Sequence, residues 1–216
     1  TDSWTRAAAT PAEVSKRISF ALFDMNGEKA MTTKSQASDE TNYGLLNVNL
    51  NPGRYILVTV AHNGEGNCTI SSPTEIKFKD NKVTDTFTSC DTLTVMQGEQ
   101  TARITLRRRV AMMRLLLDEK LPTEVTQLKF YYTGGSSTLD ASTGYGSVNS
   151  RQTEILKVPA SAYTTTGTTY EVYTFPHEER DTLKLTISAL NAAGVVVAEK
   201  EIAKVPVKVC QITQFH

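Results

Sequence analysis

From residue 15 onward the hydrophobic and polar positions alternate with a period of two. Ile18, Phe20 and Leu22 alternate with Ser19, Ala21 and Phe23, and Asp24-Met25-Asn26-Gly27 ends the run in a turn. Residues 32–42 are polar and read as a loop. Leu46, Val48 and Leu50 then alternate with Asn47 and Asn49, which predicts a second strand. Asn51-Pro52-Gly53 returns the chain, because proline presets one turn dihedral and glycine accepts positive φ. Residues 54–61 follow as a nearly continuous apolar run, the pattern of a central strand covered on both faces. Shorter strands are predicted over 74–79 and 91–96. A long run over 101–117 predicts a strand that bends or crosses between sheets, with the domain junction inside it.

The second half repeats this grammar. Strands are predicted over 125–132, 154–158, 170–175, 182–189, 195–198 and 204–211, with a long Gly/Ser/Thr loop over 133–150. Asn191-Ala192-Ala193-Gly194 has the chemistry of a tight hairpin, and Pro206 marks an edge or a bulge. Helix is confined to a turn or two near 121–124 and 159–163. The expected fold class is therefore all-β, with two tandem β-sandwiches over 15–108 and 109–216. Residues 1–14, which lack a period and contain Pro11, read as a flexible leader.

Chemistry is sparse along this framework. Cys68, Cys90 and Cys210 form no Cys-x-x-Cys and have no histidine at ligand spacing; Cys68 and Cys90 are either paired or free. His62, His177 and His216 lie outside any catalytic or metal motif, and His62 and His177 read as solvated loop residues. Gly64-Glu65-Gly66 and Gly144-Tyr145-Gly146 are not placed between a strand and a helix, as a phosphate loop requires. Asp118-Glu119, Asp140 and Glu178-Glu179 have no visible partner. Tyr131-Tyr132 and Tyr170 with Tyr173 are candidates for a sugar-stacking face. The expectation is no catalytic, cofactor-binding or metal-binding residue, and no enzyme.

Charge excludes one further class. Lys plus Arg equals Asp plus Glu at 23 each, so no overall field favours nucleic acid, and the single basic cluster, Arg107-Arg108-Arg109, has no interleaved aromatics. It reads as a charged hinge strand between the two domains. No apolar stretch reaches the 18 or more residues of a spanning helix.

Several motifs taken together are similar to one family. Leu106-Arg107-Arg108-Arg109-Val110-Ala111-Met112-Met113-Arg114-Leu115 resembles the strand that opens the second domain of Bacteroidetes fimbrillin-associated anchor proteins. Residues 93–100, Phe20-Ala21-Leu22-Phe23-Asp24-Met25-Asn26-Gly27-Glu28 and Leu50-Asn51-Pro52-Gly53-Arg54-Tyr55 fit the same family. So do Leu121-Pro122-Thr123-Glu124-Val125, Thr143-Gly144-Tyr145-Gly146 and Lys204-Val205-Pro206-Val207-Lys208. The resemblance spans about residues 15–212 and implies tandem transthyretin-like domains in a non-enzymatic cell-surface protein.

It further implies a fimbrial anchor or terminal subunit in fimbria (pilus) assembly and adhesion. Other fimbrial subunits would be its partners by strand complementation. The outer membrane would be reached through an N-terminal lipid expected upstream of Thr1. The chain ends shortly after its last expected strand, so no C-terminal donor arm is evident, which favours a terminal place. The first strand, over 15–24, is expected to stay in position, although Arg6 and Arg17 are candidate sites for the post-arginine cleavage of related stalk subunits. The alternatives are an accessory or tip adhesin and a non-catalytic carbohydrate-binding protein of the cell surface.

Overall fold

The computed structural model describes residues 2–3 and 9–216, almost all of them in strands and their connections. Arg6 lies outside the described residues. In chain order the elements are β1 (Asp2–Ser3), a single helical turn α1 (Pro11–Val14), β2 (Arg17–Asp24), β3 (Lys34–Ala37), β4 (Gly53–His62), β5 (Thr69–Ser72), β6 (Glu75–Lys77), β7 (Thr86–Val95) and β8 (Arg107–Arg108). They continue with β9 (Ala111–Leu117), β10 (Gln127–Gly135), β11 (Thr138–Asp140), β12 (Tyr145–Gly146), β13 (Ser150–Lys157), β14 (Thr168–Thr174), β15 (Thr182–Leu190), β16 (Val196–Pro206) and β17 (Gln211–Phe215). Helix α1 starts at a capping pair in which the Thr10 N–H and hydroxyl both donate to Glu13 Oε2, at 2.6 and 2.9 Å.

Two compact units form. Among the described residues the N-terminal unit holds 9–109 and 138–147, and the C-terminal unit holds 2–3, 110–137 and 148–216.

The N-terminal unit is built on a five-stranded sheet in the order β3-β2-β4-β7-β8, with β2, β4 and β7 antiparallel neighbours. Strand β2 is buried from Ile18 to Phe23 without a break, so both of its faces are covered. Ser19, Ala21 and Phe23 share a face with Val58 and Val60 of β4, and a small sheet, β12-β11-β6-β5, packs there. Its Ile70, Ile76 and Leu139 are fully buried, and Cys68 beside it is buried as well. The opposite face carries Ile18, Phe20, Leu22, Leu57 and Ala61.

The C-terminal unit is a sandwich of two four-stranded sheets, β1-β17-β9-β14 and β13-β10-β15-β16. Met113 and Leu115 of β9, Tyr170 and Val172 of β14, Leu128, Phe130 and Tyr132 of β10, and Leu183 and Leu185 of β15 interdigitate as its core. Strand β17 joins β9 in parallel, with Ile212 opposite Met112.

Four strand expectations change. Residues 46–50 and 101–106 alternate as anticipated but belong to no strand. The run over 101–117 is laddered only in β8 and β9. The expected loop over 133–150 instead extends β10 and forms the β11–β12 hairpin, which joins the N-terminal unit through Leu139 opposite Ile76. Its turn is set locally: Asp140 Oδ1 accepts the Ser142 N–H (2.8 Å) and hydroxyl (2.6 Å), and Gly144 adopts φ +82. Finally, residues 196–198 and 204–206 belong to one strand, β16, and the last strand is β17. Pro206 closes β16 at the edge of its sheet.

Candidate functional site

The face of Ile18, Phe20 and Leu22 is where the N-terminal unit departs from a two-sheet sandwich. No sheet covers it. Leu46 and Leu50 from the segment after β3, and Ile104 and Leu106 from the segment before β8, pack half-buried on this core. Each segment turns two alternate apolar residues inward, Leu46 and Leu50 in one and Ile104 and Leu106 in the other, while Val48 and Ala102 stay exposed. Yet residues 46–52 and 97–106 make no backbone–backbone hydrogen bond to another described residue.

Side chains hold the segments by their ends instead. Gln36 Nε2 donates to the Leu45 carbonyl at 2.7 Å, and its Oε1 accepts the Gly44 N–H at 2.8 Å. The Tyr43 hydroxyl donates to the Ser15 carbonyl at 3.2 Å and shares a 2.8 Å bond with the Ser15 hydroxyl. Tyr55 donates its hydroxyl to the Asn51 carbonyl at 3.0 Å, and Gln100 Oε1 accepts the Met96 N–H at 2.8 Å. At the β8 end, Arg108 makes a bidentate pair with Asp85 (2.7 and 2.9 Å) and lies 4.6 Å over the Phe87 ring.

Beneath the cover, three buried polar atoms on the same face lack a partner among the described residues: Thr59 Oγ1, Ser89 Oγ and Asp91 Oδ2. The ladder sets Thr59 opposite Ser89, with Asp91 two residues further along β7. A buried polar group without a partner costs about 1–3 kcal/mol. This region therefore combines free backbone donors and acceptors, an apolar floor and unsatisfied polar atoms. Neither the missing ladder nor the orphaned trio has a sequence signal, since Leu46-x-Val48-x-Leu50 is the signature of a paired strand.

The residues singled out for chemistry are dispersed. His62, expected in solvent, ends β4 and is 1 % exposed; its Nδ1 accepts the Gly64 N–H at 3.0 Å and its ring meets Phe78 edge-on at 5.2 Å. Burial, with the Arg17 charge adding to it, lowers its pKa to about 4. His177 is half-buried, and its Nε2 is buried with no partner among the described residues. His216 pairs with Asp118 at 3.0 Å on the surface.

Of the three arginines, Arg107 is exposed, Arg108 is buried in its ion pair, and Arg109 is half-buried with its pKa lowered by burial and by Arg107. All three cysteines are free; burial raises the Cys68 thiol to about 11. Tyr131 and Tyr132 point to opposite faces, and Tyr132 is buried with its hydroxyl donating to the Tyr173 carbonyl at 2.9 Å. Tyr170 is buried as well, so the tyrosines present no exposed stacking pair. Among the described residues no three His, Cys, Asp or Glu side chains gather as a metal site, and no helix is long and apolar enough to cross a membrane.

The family model for fimbrillin-A associated anchor proteins Mfa1 and Mfa2 matches residues 3–205. The chain belongs to this family. It is thus a structural component of fimbriae at the cell surface, and its partners are other fimbrial components. No curated protein matches the chain in sequence.

Solved structures share the fold at low identity. A candidate adhesin from Bacteroides ovatus is 15 % identical with a TM-score of 0.58, over 94 % of this chain and 84 % of that one. One from Bacteroides thetaiotaomicron is 13 % identical with a TM-score of 0.55, over 89 % and 74 %.

Proposed function

We propose that this chain is a non-enzymatic anchor or terminal subunit of a fimbria that receives an extended strand from a neighbouring subunit. The acceptor is the face of Ile18, Phe20 and Leu22. The observation that carries this reading is the pair of strand-like segments, 46–52 and 97–106, whose backbone groups have no ladder. An incoming strand laid beside either segment gains main-chain hydrogen bonds from those groups and side-chain burial from the floor, the two ingredients of β-augmentation. Strand β2 stays in place in this scheme: it lies between β3 and β4, and six of its residues in succession are buried. The tether to the outer membrane is a lipid on a cysteine upstream of Thr1, which the family relationship supports.

Hydrogen–deuterium exchange tests the acceptor. The amides of 46–52 and 97–106 should exchange fast in the isolated chain and become protected when a fimbrial subunit binds. A stable complex in which both segments stay unprotected sinks the acceptor reading.

A further inference from the structure

The C-terminal unit carries a second feature, remote in sequence from the acceptor segments. A shallow cavity of about 620 Å³ opens at one end of the sheet β13-β10-β15-β16, and four cations line it: Arg151, Arg180, Lys184 and Lys204. No acidic residue lines it.

Register explains why these charges gather. Thr133 of β10 stands opposite Arg151 on one side and Lys184 on the other, so the three side chains share one face. That face is the outer one, because Leu183 and Leu185 point into the core. On β16, Ile202 opposes Leu185 and Val205 opposes Leu183, which leaves both Ala203 and Lys204 opposite Lys184. This is a β-bulge, and it turns Lys204 toward the same cavity. A second bulge sits on β10, where Gly134, at φ +100, is the extra residue between the Thr133–Arg151 and Gly135–Ser150 pairs.

The cations are largely uncommitted. The side chains of Arg151 and Lys204 have no hydrogen bond or ion pair among the described residues. Arg180 donates to Asn149 Oδ1 at 3.0 Å, and Lys184 meets Glu201 at 2.8 Å in a pair that is more than half exposed on both sides. Such exposed pairs are weak and exchange readily. In a chain of zero net charge, a row of like charges across neighbouring strands is unfavourable until an anion screens it.

We propose that this cavity binds an acidic oligosaccharide. Cations spread along a row suit a chain that bears several anionic groups, where a single phosphate would call for a convergent set. Thr133, Ser150 and Thr182 hydroxyls and the Asn149 amide supply the mixed donors and acceptors that sugar hydroxyls need. Tyr131, two residues before Thr133 and half-buried on the same face, offers one ring beside the row. One ring is too few for the successive base stacking of a single-stranded nucleic acid.

Isothermal titration calorimetry on the full chain tests this with three tetrasaccharides: heparin-derived (sulfate and carboxylate), hyaluronan-derived (carboxylate alone) and neutral cellotetraose. An acidic tetrasaccharide should bind at least about tenfold more tightly than cellotetraose, a difference of about 1.4 kcal/mol. Which of the two wins separates sulfate from carboxylate recognition. The double variant Arg151→Gln/Lys204→Gln should lose about tenfold of that affinity with an unchanged melting curve, since both side chains are exposed. The charge-matched variant Lys16→Gln/Arg54→Gln, on the other unit, should keep it. Equal binding of cellotetraose, equal loss in both double variants, or tighter binding of a single-stranded oligonucleotide of the same charge overturns the proposal. None of these outcomes depends on strand acceptance by the N-terminal unit.

Discussion

The two units solve the same problem with different completeness. In the C-terminal unit both halves of the sandwich are hydrogen-bonded sheets, and Phe130, Tyr132 and Leu185 are sealed between them. In the N-terminal unit one face of the large sheet meets a proper small sheet, while the other meets extended chain that makes no backbone ladder with any other described residue. Side-chain burial and backbone pairing are thus separable. The first needs only a hydrophobic residue at every second position; the second needs a neighbour at hydrogen-bonding distance along the edge. The C-terminal unit satisfies both, and the N-terminal unit leaves the second open on the face where a partner's strand is proposed to bind.

The sharpest way to break this comparison is to truncate one inward residue in each cover. Phe130→Ala, in a laddered strand at 1 % exposure, should destabilise its unit by about 3–5 kcal/mol. Ile104→Ala, half-buried in the unpaired segment, should cost about 1 kcal/mol, less than the value for a fully buried side chain. Denaturant titration of both variants measures the difference. Similar losses would mean that the 97–106 segment is as firmly held as a core strand, and the acceptor reading would lose its basis.

A pH titration separates the units next. His62 has a folded pKa of about 4 against an ordinary 6.5, so between those values the unfolded state binds the proton and the folded state does not. Its contribution is complete above pH 6.5 and is lost as pH falls through 4, with a total on the order of 3 kcal/mol. The N-terminal unit should therefore weaken over that window. His62→Gln should flatten the dependence, which thermal melts at stepped pH will show. A C-terminal unit that weakens equally, with His62→Gln making no difference, would assign the effect elsewhere.

The smallest effect concerns the hairpin inserted from the second half of the chain. Gly144→Ala forces an L side chain to φ +82 and sets its Cβ against the Arg109 guanidinium. Arg109 is flexible enough to yield, so the cost should be about 1–2 kcal/mol, mostly backbone strain. Loss of exchange protection in β11 and β6, with β10 and β15 unchanged, would place the effect in the N-terminal unit. Unchanged stability would show that the β11–β12 turn contributes little.

Much of the fold was legible because period-two alternation is a local property. The strands β2, β4, β10, β14 and β15 were each visible in the residues that build them, as was the edge placement signalled by Pro206. The candidate acceptor was legible only in part. Leu46, Leu50, Ile104 and Leu106 announced inward-facing side chains, and that much is true, while Val48 between them stays exposed, and the alternation carries no information about whether a partner strand is there. The cationic cavity was not legible at all, because Arg151, Arg180, Lys184 and Lys204 are separated in sequence by strands and loops and meet only through register and two bulges. His62 was misplaced for a similar reason. A histidine at a strand end looks solvated until the ring of Phe78, sixteen positions later, is folded onto it.

By itself the sequence determined the all-β class, the strong strands and, through motifs spread over nearly the whole chain, the family. Those depend on side-chain periodicity and on local turn chemistry such as Asn51-Pro52-Gly53. The tertiary structure alone decided which alternating segments become strands, that residues 138–147 complete the sheet of the other unit, and which charges and polar atoms converge. Each of these depends on distances between residues far apart in the chain, and hydrogen bonds and ion pairs vanish within an ångström or two of their optimal separation. No pattern along one dimension can encode that separation.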